Sequence, residues 1–457
     1  MDRDCRMIVL AAGQGTRMKS GKAKVLHSIM GRPIIRIVMD VIKEAGFGRP
    51  IVVVGHQADA VKAAGGEEAD FVLQEEQAGT GHAVRLASER LIDYEGIVGV
   101  LYGDTPLVEA TLLLEMFNQH LRGGAACTIA TTLIENPRGY GRVLRDESGR
   151  VLEVVEEKDA SAEQRAVREV LGGLFFFDAT LLKAALASLD TRNALGEYCL
   201  PHVIKWFSSQ GMKVEAFRVY PPESIMGVNT RAELSHATDV IRRRLLQRWM
   251  EAGVSIVDVA STFVGFDVVL EADATIYPFT CIEGKSTICE GATIGPFAQV
   301  IDTFVGRRAR VWHSVVEGSR IGDGATVGPF SHIRPGSDIQ AGVRIGNFAE
   351  VKGSNIGPGT KINHHCYIGD ADIGEGVNIG AGVVTVNYDG KTKYRTRIGD
   401  RAFVGCNVNL VAPVAVGEKA YVAAGSTITE DVPQEALGIA RERQVNKEGW
   451  VTKKGIG

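Results

Sequence analysis

With 457 residues the chain is longer than a single hydrophobic core usually serves, so two domains are expected. Apolar residues make up 45% and charged residues 23%, and a formal net charge of -4 argues against nucleic acid or an anionic membrane as partner. Seven scattered cysteines, never spaced Cys-x-x-Cys, argue against a disulfide framework or structural zinc and suit a reducing cytosol. No apolar run approaches the ~18 residues of a membrane span, and Met7 to Ala12 is too short for a signal peptide.

In chain order, Met7–Ala11 reads as a buried strand, Ala12–Met18 as a turn and Pro33–Ala45 as a helix. Strand patterns follow at Ile51–Val54, at Ile97–Tyr102 leading into Gly103-Asp104, and at Cys127–Thr132, with a helical pattern over Gly81–Leu91. Strands alternating with helices predict a mostly parallel sheet with covered faces, whose ligands sit at the strands' carboxyl ends. Gly13-Gln-Gly-Thr-Arg17 and Gly103-Asp104 should therefore face one cleft. A dinucleotide fingerprint needs Gly at position 18, and so does a Walker A loop before Lys19-Ser20; Met18 stands there and defeats both. What remains is either a solvated basic turn or a cradle of N–H groups for an anion, flanked by Arg17, Lys19, Lys22 and Lys24. Asp104 at a strand end either caps a helix or serves as a hard oxygen ligand for Mg²⁺ on a phosphate substrate. Loop and Asp104 together describe nucleotidyl transfer.

Arg231 to Ala252 lacks Pro and Gly, ends before Gly253 and predicts a helix, with Arg242-Arg-Arg244 on its solvated face. Beyond it, small aliphatic residues recur six apart: Ile276, Ile282, Ile288, Ile294 and Val300, then Ile321 to Ile379, then Ile398 to Ile428. Helices want spacings of three and four and strands want two, and a sandwich would turn every ~8–12 residues. A sustained six fits a parallel β-helix in which each flat face lends one aliphatic residue to a common axis. Such a prism is a scaffold, so chemistry is expected where the pattern breaks: between Val300 and Ile321, at the polar excursion Asn387–Tyr394, and at Lys361–Asp370. His364 and His365 in that last stretch should point to opposite sides and share no metal.

The string Leu10-Ala-Ala-Gly-Gln-Gly-Thr-Arg-Met-Lys19, with Lys24-Val-Leu-His27, resembles the signature of sugar-phosphate nucleotidyltransferases. Gln74–His82, Tyr102–Pro106, Gly139–Arg142, Val155–Asp159, Asn193–Tyr198 and Gly227–Asn229 narrow the likeness. With Asn363-His364 and Tyr367-Ile-Gly-Asp370 behind them, the chain resembles the bifunctional N-acetylglucosamine-1-phosphate uridylyltransferase / glucosamine-1-phosphate N-acetyltransferase family. The resemblance implies a Rossmann-like α/β nucleotidyltransferase domain over 1–230, a helical linker over 231–255 and a left-handed parallel β-helix of hexapeptide repeats over 256–457. It implies acetyl transfer from acetyl-CoA to glucosamine-1-phosphate, then Mg²⁺-dependent uridylyl transfer from UTP, in a cytoplasmic homotrimer with the acetyl site between subunits.

Residue by residue, it puts Leu10, Ala11, Ala12, Gly13, Gln74, Gly79, Thr80, Tyr102 and Gly103 around the nucleotide, and Gly141 and Glu156 on the sugar. Arg17 and Lys24 neutralise phosphates, and Asp104 with Asn229 holds Mg²⁺. His364 is the general base of acetyl transfer, with Glu350 beside it. Arg334, Lys352, Tyr367, Asn378 and Lys393 take glucosamine-1-phosphate, and Ala381, Asn387, Tyr388, Cys406, Ala424 and Arg441 take acetyl-CoA. The chain departs from the family pattern at Gln14, Leu171, Leu195 and Cys406, the last a bystander because direct transfer needs no acyl-enzyme. Two other readings stand beside this one: a β-helix that only assembles subunits, and a pyrophosphorylase for another sugar, prompted by Leu171.

Overall fold

A computed structural model describes residues 5–456. The chain divides into two compact units between Ile241 and Arg242.

In the first unit a central sheet runs, edge to edge, Val214–Arg218, Cys127–Leu133, Glu169–Asp178, Ile97–Tyr102, Cys5–Ala11, Ile51–Val54 and Asp70–Leu73. Ile51–Val54 is buried at every position, the mark of a strand covered on both faces. The expected parallel order holds except at Glu169–Asp178, which runs antiparallel to both neighbours and carries the hairpin of Arg142–Arg145 with Val151–Val155. Phe175, Phe176 and Phe177 in that strand are all fully buried. Its register shifts between Leu171 and Phe175, where Gly173 lets Tyr102 close in; a Cβ built on Gly173 would stand 2.8 Å from Tyr102 Cβ. Helix Ile34–Glu44 covers one face with Ile34, Ile35, Ile37, Val38, Met39 and Ile42. The helix expected over Gly81–Leu91 is Thr80–Ser88, finished by a 3₁₀ turn at Glu89–Leu91.

Helix Arg231–Glu251 opens on a reciprocal cap: Thr230 Oγ1 accepts from the Glu233 N–H at 3.2 Å, and Glu233 Oε2 accepts from the Asn229 and Thr230 N–H groups at 2.7 and 2.8 Å. The Arg242–Arg244 cluster is not wholly on a solvated face. Arg242 is 5% exposed, donates to the Val259 carbonyl and lies over the Phe263 ring.

The second unit is a triangular prism of three parallel sheets with 11, 10 and 9 short strands. One sheet stacks Ile276, Ile294, Val311, Val327, Ile345, Ile362, Ile379, Val404 and Val422 in direct register, one per coil. Each is at most 3% exposed, so each aliphatic side chain contributes roughly 1.5–3 kcal/mol by leaving water. The expected break between Val300 and Ile321 is absent. Val305, Val311 and Val316 fill it with 0% exposure, and the six-residue count slips only because some corners are one residue shorter. Asp302 and His313 make two of the short corners at φ 46 and 47, where no glycine announces them, and Gly318 makes the third at φ 49. The break before Ile398 is real. Thr385 takes the ladder position, its hydroxyl bonded to the Gly369 N–H at 2.7 Å, and Asn387–Tyr394 then leaves the prism as a loop tied by Asp389.

Candidate active sites

In the first unit the strand ends frame a cavity of 420 Å³. It is lined by every residue expected on the nucleotide and sugar except Gly103, which lies packed beneath it with the Leu10 carbonyl 2.8 Å from where a Cβ would be. Gly15 has φ 71, and a Cβ there would lie 2.5 Å from Lys24 Cβ, so glycine lets the Lys24 side chain cross the loop. Lys24 Nζ forms an ion pair with Asp104 Oδ2 and donates to Asn229 Oδ1 at 2.9 Å, and Arg17 Nη2 donates to the same Asn229 oxygen at 2.9 Å. Two cations, a carboxylate and an amide oxygen from three distant segments thus converge at one point. Gln74 Nε2 donates to the Gly79 carbonyl at 3.1 Å, and Thr80 Oγ1 accepts from the Leu200 N–H at 2.9 Å.

Burial, then the Glu156 charge, pushes the Tyr102 hydroxyl far above its ordinary range. Burial also raises the Glu156 carboxyl, Asp159 adds to it, and Arg142 opposes. Tyr140, also lining the cavity, is pushed up to about 12 by burial. Leu171 forms part of the cavity wall with its N–H on the Gly141 carbonyl at 2.9 Å, whereas Leu195 and Gln14 do not line it. Sequence reasoning missed Tyr140, Gln77, Glu197 and Ile225 among the lining residues; Tyr140 sits in the quoted Gly139–Arg142 motif and could have been found there.

On the prism, one sheet places Arg334 beside Lys352 and Glu350 beside Tyr367 on adjacent coils. Lys393 reaches back from the excursion to Lys352, whose ammonium lowers its pKa by hydrogen bonding and repulsion. Tyr367 Oη and Asn387 Nδ2 both pack over Gly369, 2.5 and 2.8 Å from where its Cβ would stand. Asn387 Nδ2 also donates to Asp370 Oδ2 at 2.5 Å. Asn378 belongs to the neighbouring sheet, between Lys361 and Phe403, so a single chain does not gather it with those cations. His364 ends a strand of that same neighbouring sheet, exposed, with Nδ1 3.3 Å from Asn347 Oδ1. Within one chain Glu350 pairs Arg334 at 2.9 Å. His365 turns the corner at φ 38. Ala381, Cys406 and Ala424 stack on consecutive coils: the Asn407 N–H donates to the Ala381 carbonyl and the Gly425 N–H to the Cys406 carbonyl. Arg441 follows the last strand against Gly425, and Cys406 is an exposed free thiol.

Fold and sites define a nucleotidyltransferase domain followed by a hexapeptide-repeat transferase domain. Residues 7–189 match the MobA-like NTP transferase domain, and residues 318–353 match the bacterial transferase hexapeptide (six repeats). The chain is 47% identical to the Bifunctional protein GlmU of Halalkalibacterium halodurans over 447 residues, 98% of both chains. It is 48% identical over 454 residues to that of Acetivibrio thermocellus, covering 99% of this chain and 98% of the relative. To that of Clostridioides difficile it is 45% identical over 449 residues, 98% of both. The chain belongs to the bifunctional GlmU family. It is a two-activity enzyme, a sugar-phosphate uridylyltransferase and an amino-sugar-phosphate N-acetyltransferase making UDP-N-acetylglucosamine, and a prism serving assembly alone is not favoured.

Proposed function

We propose that the two reactions divide between the two sites, with the roles fixed by the residues just described. In the cleft, a phosphate oxygen of N-acetylglucosamine-1-phosphate attacks the α-phosphorus of UTP and pyrophosphate leaves. Arg17 and Lys24 neutralise charge on the phosphates, Leu10 to Gly13, Gln74, Gly79 and Thr80 hold the nucleotide, and Gly141 and Glu156 hold the sugar. No covalent nucleophile is needed, because positioning and charge neutralisation lower the barrier. The observation that carries this reading is the Lys24 ammonium held between Asp104 Oδ2 and Asn229 Oδ1. Those two oxygens already accept one cation, and hard oxygen donors of this kind suit Mg²⁺ alongside substrate phosphates. When bound, the ion would supply further neutralisation of the triphosphate.

On the prism, neutral His364 takes a proton from the substrate amine as it attacks the thioester carbonyl, and coenzyme A leaves as the thiol. Arg334, Lys352 and Lys393 supply cations for the sugar phosphate, Tyr367 and Asn378 complete that site, and Ala381, Asn387, Tyr388, Cys406, Ala424 and Arg441 contact acetyl-CoA. Because Asn378 and His364 lie on one sheet and the cations on the next, side-by-side copies in a homotrimer would complete each site. A cytoplasmic setting suits seven cysteines of which none forms a disulfide.

One mixture tests the whole reading: protein, Mg²⁺, UTP, acetyl-CoA and glucosamine-1-phosphate, with free thiol and pyrophosphate assayed together. Both products are expected, thiol before pyrophosphate. Pyrophosphate formation that does not depend on acetyl-CoA would overturn the proposed order.

A further inference from the structure

Arg142 is among the largest side chains buried almost completely, 2% exposed, at the start of strand Arg142–Arg145. A guanidinium stays charged at every working pH, so removing it from water is unfavourable unless fixed partners replace its hydration. Its partners all lie at one place. Nη1 donates to the Tyr140 carbonyl, Nη2 donates to Glu157 Oε2 at 3.0 Å, and Nε is buried with no hydrogen-bond partner. Glu157 Oε2 also accepts from the Gly139 N–H at 2.5 Å. One guanidinium and one carboxylate oxygen therefore tie the turn at 139–141 to the turn at 156–157. The strand register of the hairpin ends at the Arg142–Val155 pair, so these side-chain bonds continue the connection past it. Across the join, Glu156 Oε1 lies 3.5 Å from where a Gly141 Cβ would stand. An apolar residue of similar volume would close a hairpin at lower cost than a buried charge.

We propose that Arg142 is a positioning residue of uridylyl transfer: it holds the two sugar-facing turns in register and sets a positive charge behind Glu156 without touching either substrate. It is absent from the cavity lining, while Tyr140, Gly141 and Glu156 all belong to it. The proposal rests on the assignment of Gly141 and Glu156 to the sugar. Burial and Asp159 raise the Glu156 carboxyl, Tyr102 and Cys199 crowd it with further ionisable groups, and Arg142 is the cation that opposes them.

The test is steady-state uridylyl transfer by the full chain, varying UTP and N-acetylglucosamine-1-phosphate in turn. Arg142→Met is expected to raise KM for the sugar phosphate about 10- to 100-fold, the scale for losing charge-assisted hydrogen bonds, with KM for UTP within about twofold. It should also move the acid limb of the sugar-phosphate kcat/KM profile to higher pH. Arg142→Lys keeps the charge and loses the fork, so the acid limb should stay while KM rises. Glu157→Gln, at a side chain 30% exposed, secures the fold and should raise the same KM by less. A proportionate rise in both KM values, or a normal sugar-phosphate KM in folded Arg142→Lys and Glu157→Gln proteins, overturns the proposal. Glu156→Gln separates the two layers. If it leaves the sugar-phosphate KM unchanged, the sugar assignment itself fails; if it raises that KM and the Arg142 variants do not, only the positioning role fails.

Discussion

The two units solve opposite problems with their interiors. The prism's ladder positions are almost all aliphatic, and hydroxyls such as Thr385 and Ser354 that sit among them bond to an adjacent coil. Its candidate chemistry lies on the outside, on residues that the repeat leaves free to vary. The cleft unit does the reverse, burying Arg142 behind its cavity, half-burying Glu156 and Tyr102 in the cavity wall and holding Glu169 between Arg145 and Thr131. A regular scaffold can carry a site as decoration, whereas a concave site must be built out of the core and destabilises it.

The sharpest division of labour should appear at His364. Changing it to Ala is expected to slow acetyl transfer by roughly 10²–10⁴-fold, the range for a positioned general base, with uridylyl transfer unchanged. Equal loss of both activities would make the residue structural. Conversely, Arg17→Ala should lower uridylyl transfer by about 10²–10³-fold, the scale for one transition-state donor, and spare thiol release from acetyl-CoA. Near-normal pyrophosphate formation would remove Arg17 from the mechanism. The prism's dependence on its ladder can be tested at Ile345, which is 1% exposed. Ile345→Ala should destabilise the prism by about 2–5 kcal/mol, so that acetyl transfer is lost on heating before uridylyl transfer. Simultaneous loss of the two would show that the units do not melt separately.

How far each unit could be read in advance follows the same contrast. The ladder was legible because one aliphatic residue per face is forced by geometry, and strand Ile51–Val54 because burial on both faces leaves no polar position. Strand direction has no such signature: Glu169–Asp178 carries two glycines and three phenylalanines whichever way it runs. Val305, Val311 and Val316 escaped because two five-residue steps, turned by Asp302 and His313 in place of Gly, break the count of six. Arg242 in its Arg-rich run looked solvated, since sequence shows a charge but not the carbonyl that awaits it. On the prism, the residues joined to glucosamine-1-phosphate were matched by motif, and motif spacing does not reveal that Asn378 and Arg334 face different ways.

The smallest expected effect concerns pH, and its sign differs between two carboxylates of the same unit. Burial, with Asp159, holds the Glu156 carboxyl above the ordinary range despite Arg142. Folding therefore favours its protonated form; that contribution is full below the unfolded pKa of about 4.3 and is lost as pH rises through the folded value. Glu156→Gln, neutral at every pH, should then melt higher than the parent protein at pH 7–8 and converge with it toward pH 4. Glu169 is the mirror case. Burial raises its carboxyl, but hydrogen bonds from Arg145 and Thr131 outweigh that and hold it below the ordinary range. Its contribution is present above the unfolded value and disappears as pH falls through the folded one, so Glu169→Gln should melt lower at pH 7, with the gap closing in acid. Thermal melts of both variants from pH 4 to pH 8 decide the matter. If the two gaps changed in the same direction, the cavity carboxylate would not carry the cost of burial assigned to it, and the contrast between a charged cleft and an apolar prism would lose its energetic basis.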